Sequence, residues 1–521
     1  MPVLHSLAHR APVRIDRRRF LGAAASVAAV LPARSLWADV SGSNAVPSQV
    51  AAVSGEMKPV TLSGAEIKEL RAALTGKLLL AQDAGYDQAR RVWNGSIDRH
   101  PALIVRCESR QDIVHAVQFA SAHSLLTAVK GGGHSISGQS TCEGGIMIDL
   151  SPMREIKLDR SKRLASAQPG VLLAELDRQC QTDGLVTPLG TAADTGIAGL
   201  TLGGGQGRLM RKLGLSCDNV HTFELVTADG KVRSVSAKEN PDLFWALRGG
   251  GGNFGVVSGF EYQLHPLAHP VLAGGRTYPF SQARTVINGL AEMAAAAPDE
   301  LYLSCSIINA TGEGKLPKGT YVAVEFVYSE DPKEGERFLP PLDKLGKALD
   351  DTIAAKPYAV AQNGPTGAAP PALPPGLGVY VRSGFLQTVP DKLIDEWIHA
   401  FEQGPPWLDE IGFGPIGGEV ARIKPDATAY WNREAQYEFL LIGAWGDHSQ
   451  DEHNVAVMRD IWKAFEPFTK GYYVNTEPSA TESRLKATYG DNYARLVRVK
   501  NHYDPKNLFR LNANIRPTSR A

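Results

Sequence analysis

VKGGGHSISGQS, residues 129–140, runs three glycines straight into His134. Glycine allows tight turns and close backbone approach to a ligand. It does not explain a bulky, reactive imidazole at the mouth of such a loop. Two more glycine-rich stretches follow, GIAGLTLGGGQG (196–207) and RGGGGNFGVVSG (248–259). The chain holds 52 glycines in 521 residues, above the usual share of roughly 7%, and the excess is concentrated in these runs. One such loop is a turn by default. Three, each after a strand-like run, imply backbone N–H groups from several loops converging on one extended polyphosphate ligand.

One common phosphate binder is excluded and a second is disfavoured. The chain has no Gly-Lys-Ser/Thr, so it carries no P-loop. GGGQGRLM (203–210) lacks the G-x-G-x-x-G spacing of a Rossmann turn. A dinucleotide in a non-Rossmann fold remains, and FAD is the candidate. Lys+Arg and Asp+Glu both number 55, so global charge argues for neither nucleic acid nor an anionic membrane as partner. The five cysteines include no CxxC, and no His pair stands at ligand spacing. No metal site and no disulfide framework are expected.

The N-terminus reads as an export signal over 1–38. Arg17, Arg18 and Arg19 precede the apolar run 20–31, which is too short to span a bilayer. Arg17-Arg18-Arg19-Phe20-Leu21 resembles the twin-arginine pattern of proteins exported already folded. The expected location is therefore periplasmic or secreted, with the twin-arginine machinery as a partner and no membrane span in the mature chain.

Beyond it, residues 39–85 read as a linker and helix, with Leu70, Leu74, Leu78 and Leu79 at helical spacing and Ser63 as N-cap. From 86 to 268, short apolar strands alternate with helical stretches. From 269 to 485, strand-like runs such as TYVAVEFVYS (320–329) mix with helices. A Pro/Gly-rich, lid-like excursion interrupts them at 362–378. Residues 486–521 begin as an amphipathic helix and end as an extended tail.

Taken with NPDLFWALRGGGGNFGVV (240–257) and YDPKNLFRLNANI (503–515), these motifs resemble the berberine-bridge-enzyme-like FAD-linked oxidases of the vanillyl-alcohol oxidase/p-cresol methylhydroxylase fold. The resemblance spans about 93–517. It implies an α+β architecture with a two-part, non-Rossmann FAD-binding domain. A substrate domain follows, an antiparallel sheet covered by helices, and the C-terminal segment returns to the FAD domain. It implies that His134 is the covalent anchor of FAD, through a ring nitrogen and the flavin 8α-methyl. Gly131, Gly132, Gly133 and Ser135, with Gly138 in the same loop, are expected around the pyrophosphate. Gly196, Gly199, Gly203, Gly204 and Gly205 are expected along the ribityl and flavin side. Val256 and Val257 are expected against the adenine end or the ring, and Asn512 and Asn514 near the ring. Some relatives add a cysteinyl bond. Here Ala192 stands at that position and Cys217 is too far along the chain, so a single tether is expected. Ile136 replaces a tyrosine of some relatives.

The resemblance also implies oxidation of a C–H next to a hydroxyl or amine in a sugar, alcohol or secondary metabolite. Dioxygen would reoxidise the flavin and yield hydrogen peroxide. Alternatives are a dehydrogenase with another acceptor and an inactive flavin- or ligand-binding protein. Tyr473, in the Y-x-N motif Tyr473-Val474-Asn475, is the expected base or substrate clamp, and needs a nearby cation or hydrogen bond to lower its pKa from about 10. Arg433, Glu434, Gln436 and Glu438 alternate within 430–445. Arg433 is expected to face the flavin, as in relatives, and each acidic member to lie on a solvated face.

Overall fold

LIVR, TAVK and IMID carry apolar residues without a polar alternation, the pattern of strands covered on both faces. They form the parallel core Leu103–Arg106, Ile146–Asp149, Thr127–Lys130 of a four-stranded sheet, with Lys77–Leu79 antiparallel at one edge. Leu103, Ile104, Ile146 and Ile148 are fully buried. The computed structural model describes residues 46–312, 316–363, 376–476 and 481–518. The stretch 1–38 expected to be an export signal lies outside the described residues, as does most of the 362–378 excursion.

Ser63 caps the helix Gly64–Ala73 in a reciprocal capping box with Glu66. That helix stops earlier than the leucine spacing predicts. Leu74 is already extended, and the backbone N–H groups of Thr75 and Gly76 donate to the Asp112 carboxylate (2.7 and 3.1 Å). Leu78 and Leu79 therefore belong to the edge strand, where they bury themselves in a sheet rather than on a helix face.

A five-stranded antiparallel sheet follows, in the order Val232–Val235, Val220–Val226, Val256–Gln263, Leu164–Ala167, Ile156–Asp159. An eight-stranded sheet comes next. Its central members are Val271–Pro279, Gly319–Tyr328, Leu301–Ala310, Leu408–Pro415, Tyr437–Trp445 and Gly378–Leu386, all antiparallel to their neighbours. One face is covered by the helices Ala283–Ala296, Asp391–Gln403 and Asp451–Lys463 around Leu290, Trp397, Phe439 and Trp462. Alternation then sends the next residue of each strand to the opposite face. Leu303 and Cys305 go to the helices, Ser304 and Ser306 to the cavity; Phe439 and Leu441 go to the helices, Glu438 and Leu440 to the cavity.

The helix Asn492–Tyr503 brings the tail back. Its buried Lys500 ammonium donates to the carbonyls of Asn253 and Phe509 and to the Asp504 carboxylate. Asp504 accepts the backbone N–H groups of Leu508 and Phe509. Asn253, held by this clasp, donates through its side-chain amide to the carbonyls of Gly250 and Ala513, which ties the tail to the glycine run 249–252.

Candidate active site

The 131–133 glycines leave the carboxyl end of the parallel strand Thr127–Lys130, the end from which loops of parallel sheets reach ligands. Here they meet a second loop. A Cβ on Gly132 would stand 2.5 Å from Gly196 Cα, and one on Gly196 would stand 2.5 Å from Gly132 N. The two loops touch backbone to backbone because neither residue has a side chain. Trp93 donates its N–H to Gly133 O (2.9 Å) and stacks on the His134 ring at 4.3 Å between centroids.

Together they wall a cavity of about 670 Å³, within the usual size of a cofactor or ligand site. One side is built by 131–136, 190–200, 251–257 and 509–513, the other by the exposed face of the large sheet, and residues 473–476 close the join. Of the residues expected from the sequence, Gly131, Gly132, Gly133, His134, Ser135, Gly196, Gly199, Val256, Val257, Asn512 and Tyr473 share this wall. Ala192 and Ile136 stand on it as well.

Others lie behind it. Gly138 packs on Ile97, Gly203 on the Asn475 side chain, Gly204 on the Tyr430 ring and Gly205 on Ser216. The Gly203–205 run thus seats the tyrosine and asparagine of the site instead of a ligand. Asn514 also sits off the wall, with a buried Oδ1 that has no protein partner. Cys217 is fully buried away from the cavity, and burial pushes its thiol pKa up. All five cysteines are buried and free of disulfides.

Arg433 faces the interior, but not the cavity. It has no exposed surface and grips the Asp218 carboxylate with two bonds of 2.7 Å. Its guanidinium lies 5.2 Å from the Tyr430 ring centroid, and the Tyr430 hydroxyl accepts from Gln206 Nε2 (3.1 Å). Arg433 therefore holds Tyr430 in place. Strand alternation does not extend to it, since the strand begins only at Tyr437 and Arg433 sits in the preceding turn.

Alternation does hold from Tyr437 onward, and it delivers Glu438 to the cavity instead of a solvated face. Its Oε1 is buried without a hydrogen-bond partner. Burial raises its pKa to about 8, and the Ser383 hydroxyl only partly opposes this. Tyr473 stands in the opposite state. Its hydroxyl oxygen accepts from the backbone N–H of Gly205 (3.0 Å) and Gln206 (3.4 Å) and from the Asn475 amide (2.8 Å). Burial, reinforced by Glu438, still raises its pKa far above the ordinary range. Tyr473 stays protonated and Glu438 is the group poised to exchange a proton near neutrality.

Three more carboxylates line the sheet side. Asp409 and Glu410 are both raised to about 6 by burial, and Ser306 donates to Glu410 (2.5 Å). Glu325 is paired with Arg208 (2.6 Å). The aperiodic stretch 408–410, interrupted by a bulge, hides this wall from sequence reading.

The flavin side fits an FAD. Gly199 and Gly252 face the cavity, and an added Cβ would meet nothing within 4 Å at either. Asn512 Oδ1 is buried there and lacks a protein partner. No group of metal-ligating side chains occurs among the described residues.

Known families match at both ends. Residues 101–236 match a family described as FAD binding domain and residues 472–516 one described as berberine and berberine like. The chain is 31% identical to an uncharacterized FAD-linked oxidoreductase of Bacillus subtilis, over 86% of this chain and 98% of that one. It is 30% identical to (R)-6-hydroxynicotine oxidase of Paenarthrobacter nicotinovorans, over 85% and 97%. Its fold is similar to the xylooligosaccharide oxidase of Myceliophthora thermophila, with a TM-score of 0.76, 23% identity and coverage of 87% and 100%.

Proposed function

From the premise that the chain belongs to the berberine-bridge-enzyme-like FAD-linked oxidoreductases, we propose that it is an exported oxidase holding FAD covalently through His134. Its substrate presents a C–H next to a hydroxyl or amine. The observation that carries this reading is Glu438, a buried carboxylate whose Oε1 has no hydrogen-bond partner, in the same cavity as the His134 loop. Bound FAD supplies the hydride acceptor, with dioxygen as the final oxidant and hydrogen peroxide as product.

Glu438 takes the proton from the substrate hydroxyl or amine, because hydride leaves more readily from the deprotonated form. Tyr473 keeps its own proton. With its oxygen fixed by the Gly205 N–H and the Asn475 amide, its O–H is aimed and available to orient the substrate. Asp409, Glu410 and Ser306 offer hydrogen-bond partners to the remaining substrate hydroxyls or amines. Gly131, Gly132, Gly133, Ser135, Gly196, Gly199, Val256, Val257 and Asn512 hold the cofactor, while Gly203, Gly204 and Gly205 support it from behind. Ala192 leaves the flavin a single tether.

An acid-precipitated wild-type pellet is expected to stay yellow. His134→Ala is expected to move the colour to the supernatant, and Cys217→Ala to leave it in the pellet. A colourless wild-type pellet refutes the anchor. An aerobic peroxide screen over sugars, aryl alcohols and amines tests the oxidase reading. Slow reoxidation in air without peroxide overturns it. Folded export rests on the Arg17–Arg19 pattern, and a periplasmic yellow protein that becomes cytoplasmic on Arg17→Lys, Arg18→Lys is the expected result.

Activity also follows pH. A base must be ionised to act, so a Glu438 with a pKa of about 8 makes kcat/KM rise as pH climbs toward 8 and level off above it. A profile flat from pH 6 to 9 removes Glu438 as the base.

A further inference from the structure

Asp194 has no part in the chemistry described so far. It lies in the loop that Gly196 docks onto Gly132, and this docking sets its Oδ1 3.6 Å from His134 Nε2. Both atoms are buried, and neither has a hydrogen-bond partner. Trp93 stacked on the ring at an interplanar angle of 22° fixes the imidazole plane. The pair is therefore held at near-contact by two loops and an aromatic lid, with no competing partner for either atom.

We propose that Asp194 is the positioning residue and proton acceptor for attachment of the flavin to His134. The inference rests on the reading of His134 as the anchor. Burial disfavours the charged imidazole, and a neutral imidazole carries one N–H and one lone pair. A carboxylate 3.6 Å from Nε2 favours the N–H there over the competing hydrogen bond of the ring to the His134 backbone, leaving the lone pair on Nδ1. Nδ1 is then the nucleophile toward the 8α carbon. Bond formation at Nδ1 acidifies Nε2–H, and Asp194 receives that proton.

The balance closes with dioxygen as the named oxidant. One N–C bond forms; the 8α C–H is lost as a proton, its electron pair passing through the flavin to dioxygen, and the imidazole N–H proton passes to Asp194. The two electrons and two protons released end on dioxygen as hydrogen peroxide. Without Asp194 the tautomer is unselected and Nε2, which has no hydrogen-bond partner, loses the carboxylate beside it.

The full-length chain is sampled at intervals after induction, and flavin in the acid pellet is compared with total flavin of the native protein. Asp194→Asn is expected to bind FAD but to attach it about a hundredfold more slowly. Asp194→Glu is expected to recover most of the wild-type rate, which a merely structural role would not produce. Complete attachment in Asp194→Asn at the earliest sample overturns the proposal while leaving His134 as the anchor. Flavin released from the wild type by acid fails the anchor reading itself. Should Asp194→Asn not fold, the wild type still decides. NMR of its flavin-bearing peptide is expected to show linkage at Nδ1, and linkage at Nε2 overturns the proposal.

Discussion

Glu438→Gln is expected to lower kcat/KM by about 10²–10⁴-fold, the usual worth of a positioned general base. That is about 3–5.5 kcal/mol of transition-state stabilisation. The replacement keeps shape and volume, so flavin content and folding should match the wild type. The Gln amide cannot accept a proton from the substrate, so the pH limb near 8 should disappear with the activity. The joint result is the test. Lost rate with a retained limb assigns the titration to another group, Asp409 and Glu410 being next in line at about 6. Unchanged kcat/KM removes Glu438 from the chemistry. Tyr473→Phe should behave differently. It leaves the donors of Gly205, Gln206 and Asn475 without their acceptor, so it should raise KM as well as lower kcat and leave the limb in place.

Arg433→Met is expected to cost about 3–5 kcal/mol of stability, because it strands the Asp218 carboxylate without its cation. Asp218 is itself only 6% exposed, and Arg433 has no exposed surface. Water cannot replace the two lost hydrogen bonds, and Thr428, which accepts a third from Arg433 (2.6 Å), loses a partner too. The denaturant midpoint of unfolding, followed by tryptophan fluorescence, reads the loss. Adding Asp218→Leu should regain part of it, since replacing both charges removes the uncompensated one. The recovery stays partial because Asp218 also accepts the N–H of Leu215 (2.9 Å). Covalent flavin should survive in the fraction that folds. A midpoint unchanged from wild type would mean that the pair contributes nothing net.

Much of the fold was legible because local pattern suffices for it. Strands covered on both faces read as unbroken apolar runs, and Ser63 with Glu66 announces a helix start. The motif set picked out His134, Gly131–Gly133, Gly196 and Tyr473, which share one cavity wall. Two errors have one cause, the extension of a period past the element that carries it. Leu78 and Leu79 were counted on a helix that Asp112, distant in sequence, brings to an end. Arg433 was counted on a strand that starts four residues later.

The amino-acid sequence by itself determined the family, the α+β architecture, the flavin cofactor and the candidate anchor, because those depend on glycines, a histidine and apolar spacing that are contiguous along the chain. Only the tertiary structure decided which carboxylates face the cavity and what each titrates as. Burial sets the charge state of Glu438, Asp409 and Glu410, and burial is a property of everything packed around them. It also decided what the glycines are for. Gly132 lets Gly196 come within contact, and that contact, invisible along the 63 residues of intervening chain, is what sets Asp194 beside His134.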